Sequence, residues 1–247
     1  MSRILATYNI KGGVGKTSAA VNLATLAARD GAPTLLWDLD PQGASTYLFR
    51  VRAKVKGGGA KLVRGKSDVD ALLKGTDTEG LDLLPADFSY RHMDLALGDA
   101  KRPERSLKRV LEPLQDEYEY TFLDCPPSIS LVSESVFEAA DALLVPIIPA
   151  TLSSRTLAQL QSVLAGDKHG PQVLGFFSMA DRRKKLHREL MDELSTEHDV
   201  LETVIPNSAE VERMGAQRAA IVDFAPKSRA ARAYADLWEE VRGRLNT

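Results

Sequence analysis

The sequence is short of the residues that would staple, anchor or strongly charge it. It holds one cysteine, Cys125, so no internal disulfide can form and nothing points to an oxidising compartment. No stretch approaches ~18 apolar residues, which excludes an expected spanning helix. The N-terminal MSRILATYNIKGG has no apolar run of signal-peptide length. Opposite charges almost cancel: 32 Lys and Arg against 34 Asp and Glu leave a formal net charge of −2. A purely electrostatic nucleic-acid binder is usually more basic, so only local patches could serve that role. The four histidines (His92, His169, His187, His198) are scattered, with none at metal-ligand spacing. Against these lacks stand 247 residues, 44% of them hydrophobic and 27% charged. That is enough for a full core and too apolar for disorder throughout, and the length suits one α/β domain over residues 1–247.

Short β-like runs alternate with longer helical ones. Strands are predicted at Ile4–Ile10, Thr34–Leu39, Leu81–Leu84, Tyr120–Asp124, Ala142–Ile148, Val173–Ser178 and Val200–Ile205. Continuous apolar runs such as ALLVPII suit strands buried on both faces of a parallel sheet. Helices are predicted at Lys16–Arg29, stopped by Gly31; at Asp68–Lys74, capped by Ser67; and at Glu104–Glu117, Ser153–Ala165, Lys184–Glu197, Ala209–Gly215 and Lys227–Leu245. Such alternation implies a doubly wound, mostly parallel sheet flanked by helices, with right-handed crossovers. The stretch Arg50–Lys66 departs from it, with seven basic residues, no acidic ones and Gly57-Gly58-Gly59. It reads as a mobile basic loop.

The strongest motif is KGGVGKT at residues 11–17, after a β-like run and at the start of a helix, as a P-loop requires. Glycines let the backbone fold round phosphate oxygens, and successive N–H groups with the helix N-terminus supply partial positive charge. Lys16 would reach the phosphates and the Thr17 hydroxyl would ligate Mg²⁺, which prefers oxygen. The common G-x-x-x-x-G-K-[ST] pattern needs glycine at position 10, where Ile10 stands, and a second lysine, Lys11, opens the loop. Two carboxylate segments accompany it. In TLLWDLDPQGAST (residues 34–46), Asp38 and Asp40 alternate at strand spacing and so point the same way. In YTFLDCPPS (residues 120–128), an apolar run ends at Asp124. Ligands of open α/β sheets bind at the carboxyl ends of strands, which would put these carboxylates beside the phosphates. Cys125 reads as a small core residue rather than a reactive thiol.

KGGVGKT resembles the deviant Walker A motif of the ParA/MinD superfamily of P-loop ATPases, and the Soj-like ParA partition ATPases in particular. The resemblance runs from about residue 3 to residue 242 and is weakest over 48–80. It implies that Lys11 reaches across a dimer interface to phosphates held by the other subunit, while Lys16 acts in cis. It implies a nucleotide cradle of Gly12, Gly13, Val14, Gly15, Lys16, Thr17 and Ser18, and catalytic roles for Lys11, Lys16 and Asp40, with Asp40 orienting the attacking water. Thr17, Asp38 and Asp124 would serve the Mg²⁺ shell. VIPNSAEVERMG resembles the family's adenine-contacting segment through Pro206 and Asn207, with Ser208 also suited to cap a helix. Ala44 stands where many partition proteins have Asn, and the usual Pro after Gly215 is missing.

The resemblance further implies ATP and ADP with Mg²⁺ as cofactors, slow hydrolysis, an ATP-bound homodimer, non-specific DNA binding, and stimulation by a ParB-like or cargo-adaptor protein. It places the protein in the cytoplasm, associated with the nucleoid. Candidate DNA contacts are Arg182, Arg183, Lys184, Lys185 and Arg188, where positive charge at a helix start opposes the helix dipole unless an anion is near, and Arg213 and Arg218. The other reading of such a charge run is solvated surface. The alternative function is that of a MinD-like membrane-associated positioning ATPase using a C-terminal amphipathic helix. Tyr234, Leu237, Trp238, Val241 and Leu245 form an apolar stripe there, but Asp236, Glu239 and Glu240 on the opposite face would repel an anionic membrane. A core-packed helix is the expectation. A nitrogenase-type reductase would need paired cysteines, and a ligase an acceptor site that no further constellation supplies. Without a helix-turn-helix ahead of the P-loop, operator-specific repression is not expected.

Overall fold

The computed structural model describes residues 2–164 and 170–246; Ala165, the expected end of one helix, and His169 lie outside them. Its strands are β1 (Arg3–Thr7), β2 (Thr34–Asp38), β3 (Lys74–Gly75), β4 (Leu81–Leu84), β5 (Tyr120–Asp124), β6 (Ala142–Ile147), β7 (Gln172–Ala180) and β8 (Val200–Pro206). They form one eight-stranded sheet in the order β3-β4-β2-β5-β1-β6-β7-β8. Only the short β3 edge runs antiparallel, to β4. The helices are α1 (Lys16–Arg29), α2 (Ala44–Leu48), α3 (Gly58–Val63), α4 (Met93–Gly98), α5 (Ser106–Leu111), α6 (Leu131–Ala139), α7 (Ser153–Leu164), α8 (Lys185–Glu197), α9 (Ala209–Gln217), α10 (Ile221–Phe224) and α11 (Arg229–Leu245).

Strand periodicity divides the core into two layers. Leu5, Leu36 and Phe122 point to one face, where α1, α9, α10 and α11 pack. Their neighbours Ala6, Trp37 and Leu123 point to the other, where α3 to α8 pack. Successive side chains of a strand leave by opposite faces, so each central strand must be apolar throughout to sit between two helical layers. Small residues make the first layer tight: Ala19, Ala20, Ala24 and Ala27 of α1 are fully buried. The left-handed Gly31 (φ 89°) ends α1, with its N–H on Ala28 O and the Ala32 N–H on Ala27 O. That double closure satisfies carbonyls the helix leaves open.

Three expectations need correction. Glu104–Glu117 is not one helix: 3-10 turns at Pro103–Arg105 and Glu112–Leu114 bracket α5, because Pro113 has no N–H to continue the ladder. Asp68–Lys74 is reduced to a 3-10 turn at Asp70–Leu72, and Lys74 pairs with Leu83 instead, which covers a sheet edge that would otherwise be open. The basic stretch 50–66 is not a free loop. It contains α3, and Val55, Leu62 and Val63 are buried in the core. Helices α2, α4, α6 and α10 lie outside the predicted set.

The apolar stripe of the last helix is committed to the core. Tyr234, Leu237, Trp238 and Val241 are each at most 2% exposed. Trp238 donates its indole N–H to Asp30 (2.8 Å) and meets the Tyr120 ring edge-on at 5.0 Å. A membrane-lying helix would have to expose this face. No helix among the described residues is long and apolar enough to cross a membrane. Leu237→Ala is expected to cost about 2–5 kcal/mol, read as a lowered urea midpoint; a cost below about 1 kcal/mol would contradict the docked arrangement.

Candidate functional site

The carboxyl ends of β1, β2 and β5 lie side by side, and their last residues are the charged ones. Register pairs Asp38 with Asp124 across β2 and β5, and Thr7 with Asp124 across β1 and β5. The loop after β1 turns into α1 through Gly13 (φ 71°) and Gly15 (φ 99°). Both are in the left-handed region that favours glycine, and a Cβ on Gly15 would stand 2.8 Å from the Ser178 hydroxyl. Asn9 holds the loop's start: its amide donates to Pro146 O (2.9 Å) and its oxygen accepts from Lys11 N (2.9 Å). The N–H groups of Gly12, Gly13, Val14 and Gly15 have no acceptor among the described residues. Four donors at one helix start are a ready anion cradle.

The two lysines of the loop are used differently. Lys16 is buried and donates from Nζ to Lys11 O (3.1 Å). Burial pulls its pKa below the ordinary lysine value, and Asp124 is the largest opposing influence. A buried ammonium with one neutral partner has strong demand for an anion. Lys11 is exposed and its side chain has no ion pair among the described residues. Val14 turns its side chain into the core, so only its backbone can face a ligand.

The carboxylates also differ. Asp38 is fully buried and accepts from Thr46 N (2.8 Å), Thr46 Oγ1 (2.7 Å) and Asp40 N (3.2 Å). It anchors the loop that leads into α2. Asp124, equally buried, accepts from Ser45 Oγ (2.7 Å) and interacts with the Thr17 side chain, but its Oδ1 has no hydrogen-bond partner among the described residues. Burial raises the pKa of both, and Asp38 is raised further by the charge of Asp124. Asp40 is half-buried at the cavity wall, with one oxygen on Gln42 N (2.9 Å). Two buried, mutually repelling carboxyls beside a threonine hydroxyl suit a hard divalent cation. No group of three or more acidic, His or Cys side chains among the described residues is placed to hold a metal ion by itself. Mg²⁺ fits such a site because it takes one or two carboxylates and completes its shell with water and phosphate oxygens.

Between loop and sheet edge lies a cavity of about 350 Å³. Gly12, Gly13, Gly15, Lys16, Thr17, Ser18 and Asp40 form one end, and Pro206 and Asn207 the other. Asn207 is held by its N–H on Ala180 O (3.0 Å), and Ser208 caps α9 by accepting from Glu210 N (3.3 Å). Sequence reasoning missed Pro127, Ser178, Met179, Val211, Glu212 and Tyr234 in the same wall. Met179 sits at φ 54° in the irregular part of β7, and no sequence signal marks such a bulge. Tyr234 comes from α11, and its lining role follows only from how that helix docks. Cys125 is buried with its thiol pKa pushed well up by burial, the core role expected.

The basic candidates do not form one group. Arg182, Arg183, Lys184, Lys185 and Arg188 are exposed at the start of α8, and Arg213 is exposed on α9. Arg183 pairs with Asp181 (3.0 Å), Lys185 with Glu189 (3.4 Å), and Arg188 donates to Arg182 O (2.7 Å). Arg182 and Arg183 border a second cavity with Arg229 and Asn207. Arg218 stands apart. Its backbone is left-handed (φ 49°), its Nε donates to Tyr47 O (3.0 Å) and its guanidinium lies 4.4 Å from the Tyr47 ring centre. Arg50, also left-handed (φ 60°), donates back to Arg218 O (3.0 Å). Each arginine thus closes the end of the other's helix, tying α2 behind Asp40 to α9 behind Asn207.

The chain is similar to known proteins over nearly its whole length. A family model for an AAA domain matches residues 2–167. The sporulation initiation inhibitor protein Soj of Bacillus subtilis is 32% identical over 98% of each chain. The chromosome partitioning protein ParA of Caulobacter vibrioides is 32% identical, covering 98% of this chain and 94% of that protein. Among solved structures, cobyrinic acid a,c-diamide synthase from Mycobacterium smegmatis, with bound ADP and magnesium, superposes with a TM-score of 0.84 at 25% identity, covering 100% and 96% of the two chains.

The paired arginines generate a test. Arg218→Ala removes the bond to Tyr47 yet keeps a Cβ in the left-handed region, whereas Arg218→Gly removes both bond and strain. The alanine variant is expected to be less stable than the glycine variant by about 0.5–1 kcal/mol in chemical denaturation; the reverse order would reject the left-handed closure of α9.

Proposed function

This chain belongs to the ParA/MinD superfamily of P-loop ATPases, on its ParA side, and from that premise we propose that it is an ATP-dependent positioning switch that segregates DNA or a protein cargo along DNA. The observation that carries the reading is the division of labour between two lysines of one loop: Lys16 is buried under the anion cradle, and Lys11 is exposed outside the cavity with no ion-pair partner among the described residues. A cation so placed is fully paired only when a second subunit brings its triphosphate to it. Assembly then depends on nucleotide.

In the proposed cycle the N–H groups of Gly12 to Gly15 and the ammonium of Lys16 hold the phosphates, and Pro206 and Asn207 hold the base. Thr17 and Asp124 would hold Mg²⁺, and Asp38 would support its shell by fixing the loop between β2 and α2. When bound, the ion neutralises phosphate charge as the γ-phosphoryl group is transferred to water. Asp40, at the cavity wall, orients that water for attack. Its bond to phosphorus forms as the bond to the ADP oxygen breaks. Lys11 withdraws when the γ-phosphate leaves, and the dimer separates. The ATP-bound dimer holds DNA through the exposed cations at the start of α8 and on α9, and a ParB-like or adaptor protein speeds hydrolysis. The buried stripe of α11 favours this over membrane attachment. A diamide-synthase activity would need an acceptor site, and the 32% identical Caulobacter relative that matches nearly end to end is a chromosome partitioning protein.

Lys11→Ala is expected to retain ATP binding and lose ATP-driven dimerisation in sizing experiments; dimers at wild-type level would reject the trans role. Asp40→Ala is expected to bind ATP and accumulate as dimer, with turnover reduced about 100-fold or more; near-normal phosphate release would remove Asp40 from the chemistry. Chelating Mg²⁺ should abolish both dimerisation and turnover in the unaltered protein.

A further inference from the structure

Within 50–66, where glycines and charges suggest a loose loop, the acid-free run of cations lies on a built surface. Val55 is buried while Lys54 and Lys56 on either side are exposed, ahead of a turn that the Gly58 N–H closes on Val55 O (3.0 Å). In α3 the buried Leu62 and Val63 turn Lys61 outward. The Lys61 stem passes so close to Gly57 that a Cβ there would stand 2.8 Å from its Cδ, so this side chain folds back along the turn that follows Lys56. Arg52 and Lys66 extend the array, and none of these five side chains has an ion pair among the described residues. The two remaining cations of the segment are neutralised, Arg50 by Asp77 and Arg64 by Asp99.

The surface is hung from the nucleotide site. Thr46 Oγ1 donates to Asp38 (2.7 Å) and accepts from Ala86 N (2.8 Å). The next residue, Asp87, accepts from Val55 N (2.8 Å) and Ser89 N (2.9 Å), and Ser89 Oγ accepts from Gly59 N (2.8 Å). Lys54 acts on the Asp87 carboxylate, but both oxygens of that group are engaged by backbone N–H groups. Gly59 leaves no room for a side chain, since a Cβ would lie 2.6 Å from the Tyr90 ring. The α3 backbone is therefore pressed against the segment that follows β4, and its cations are held in place rather than trailing in solvent.

We propose that Arg52, Lys54, Lys56, Lys61 and Lys66 form a phosphate-binding surface for duplex DNA, additional to the cations of α8 and α9. The inference rests on the DNA-binding reading above and adds a second binding region, near the β4 end of the sheet, whereas α8 lies between β7 and β8 at the other. A duplex carries one negative charge per ~1.7 Å of axis, so a spread array of unpaired cations suits it. A lipid surface fits less well, because the apolar side chains of the segment, Val55, Leu62 and Val63, point inward and none is free to insert.

The test compares the unaltered protein with the fivefold variant Arg52→Gln, Lys54→Gln, Lys56→Gln, Lys61→Gln, Lys66→Gln, by fluorescence anisotropy on a random-sequence duplex with MgATP across a salt series. Removing one cation that neutralises a phosphate lowers the log–log salt slope by about 0.9. With five such cations removed, the expected result is a slope smaller by about 4.5 and a Kd raised about tenfold or more, with basal ATP turnover unchanged. If the unaltered protein binds no duplex in any nucleotide state, the DNA reading itself falls. If it binds and the variant keeps the same slope, only this surface falls. Lysine acetylation footprinting of the unaltered protein does not depend on the variant's folding. Duplex should protect Lys54, Lys56, Lys61 and Lys66, and reactivity unchanged by duplex, or protection by phosphatidylserine vesicles alone, would overturn the proposal.

Discussion

Two carboxylates with no access to water lie on neighbouring strands at the same register, and the rest of the site is arranged around that expense. Asp38 and Asp124 are each fully buried, and burying a charge without full compensation is costly. Asp38 is compensated internally by three hydrogen bonds from the loop that follows it. Asp124 is compensated in part, by Ser45 and Thr17, and keeps one oxygen without a hydrogen-bond partner among the described residues. Lys16, buried nearby, carries the opposite imbalance. A bound phosphate chain with its cation would resolve both at once, which is why these residues suit a nucleotide.

The same constraint explains how signals could leave the site. Because Asp38 is satisfied only by the loop that begins α2, the position of that loop is set by a buried charge rather than by apolar packing alone. Thr46 then passes the constraint to Ala86, and the paired arginines Arg50 and Arg218 pass it to α9. The Pro206–Asn207 end of the cavity and the glycine-loop end are therefore joined by directional bonds as well as through the sheet. Left-handed backbone at both arginines is an unfavourable conformation for L-residues, held by the bonds each makes to the other's helix. Such over-determined strain is found where a structure has two arrangements to choose between.

Much of the architecture is legible in the chain alone. Leu81–Leu84 and Tyr120–Asp124 are placed to the residue, because continuous apolar runs between polar turns have few other uses. Lys16–Arg29 is equally clear from its alanines and the glycine after it. The long helix expected over Glu104–Glu117 fails at Pro113, where a local rule outweighs periodicity. The basic stretch fails for the opposite reason. Its glycines and charges suggest freedom, while three buried apolar residues and two side-chain acceptors far along the chain hold it down.

By itself the amino-acid order determined the phosphate loop, the two acidic strand ends, the layered α/β class and the kinship that goes with them. These are local patterns whose chemistry is complete within a dozen residues. The fold alone decided that Tyr234, Met179 and Glu212 share a wall with Gly12, that Arg218 lies against Tyr47, and that Thr46 bridges Asp38 to Ala86. Apart from the short step from Thr46 to Asp38, those contacts join residues tens to hundreds of positions apart. Their energy comes from burial and from hydrogen bonds whose partners are chosen by strand order and helix docking, and no window of the chain contains both halves.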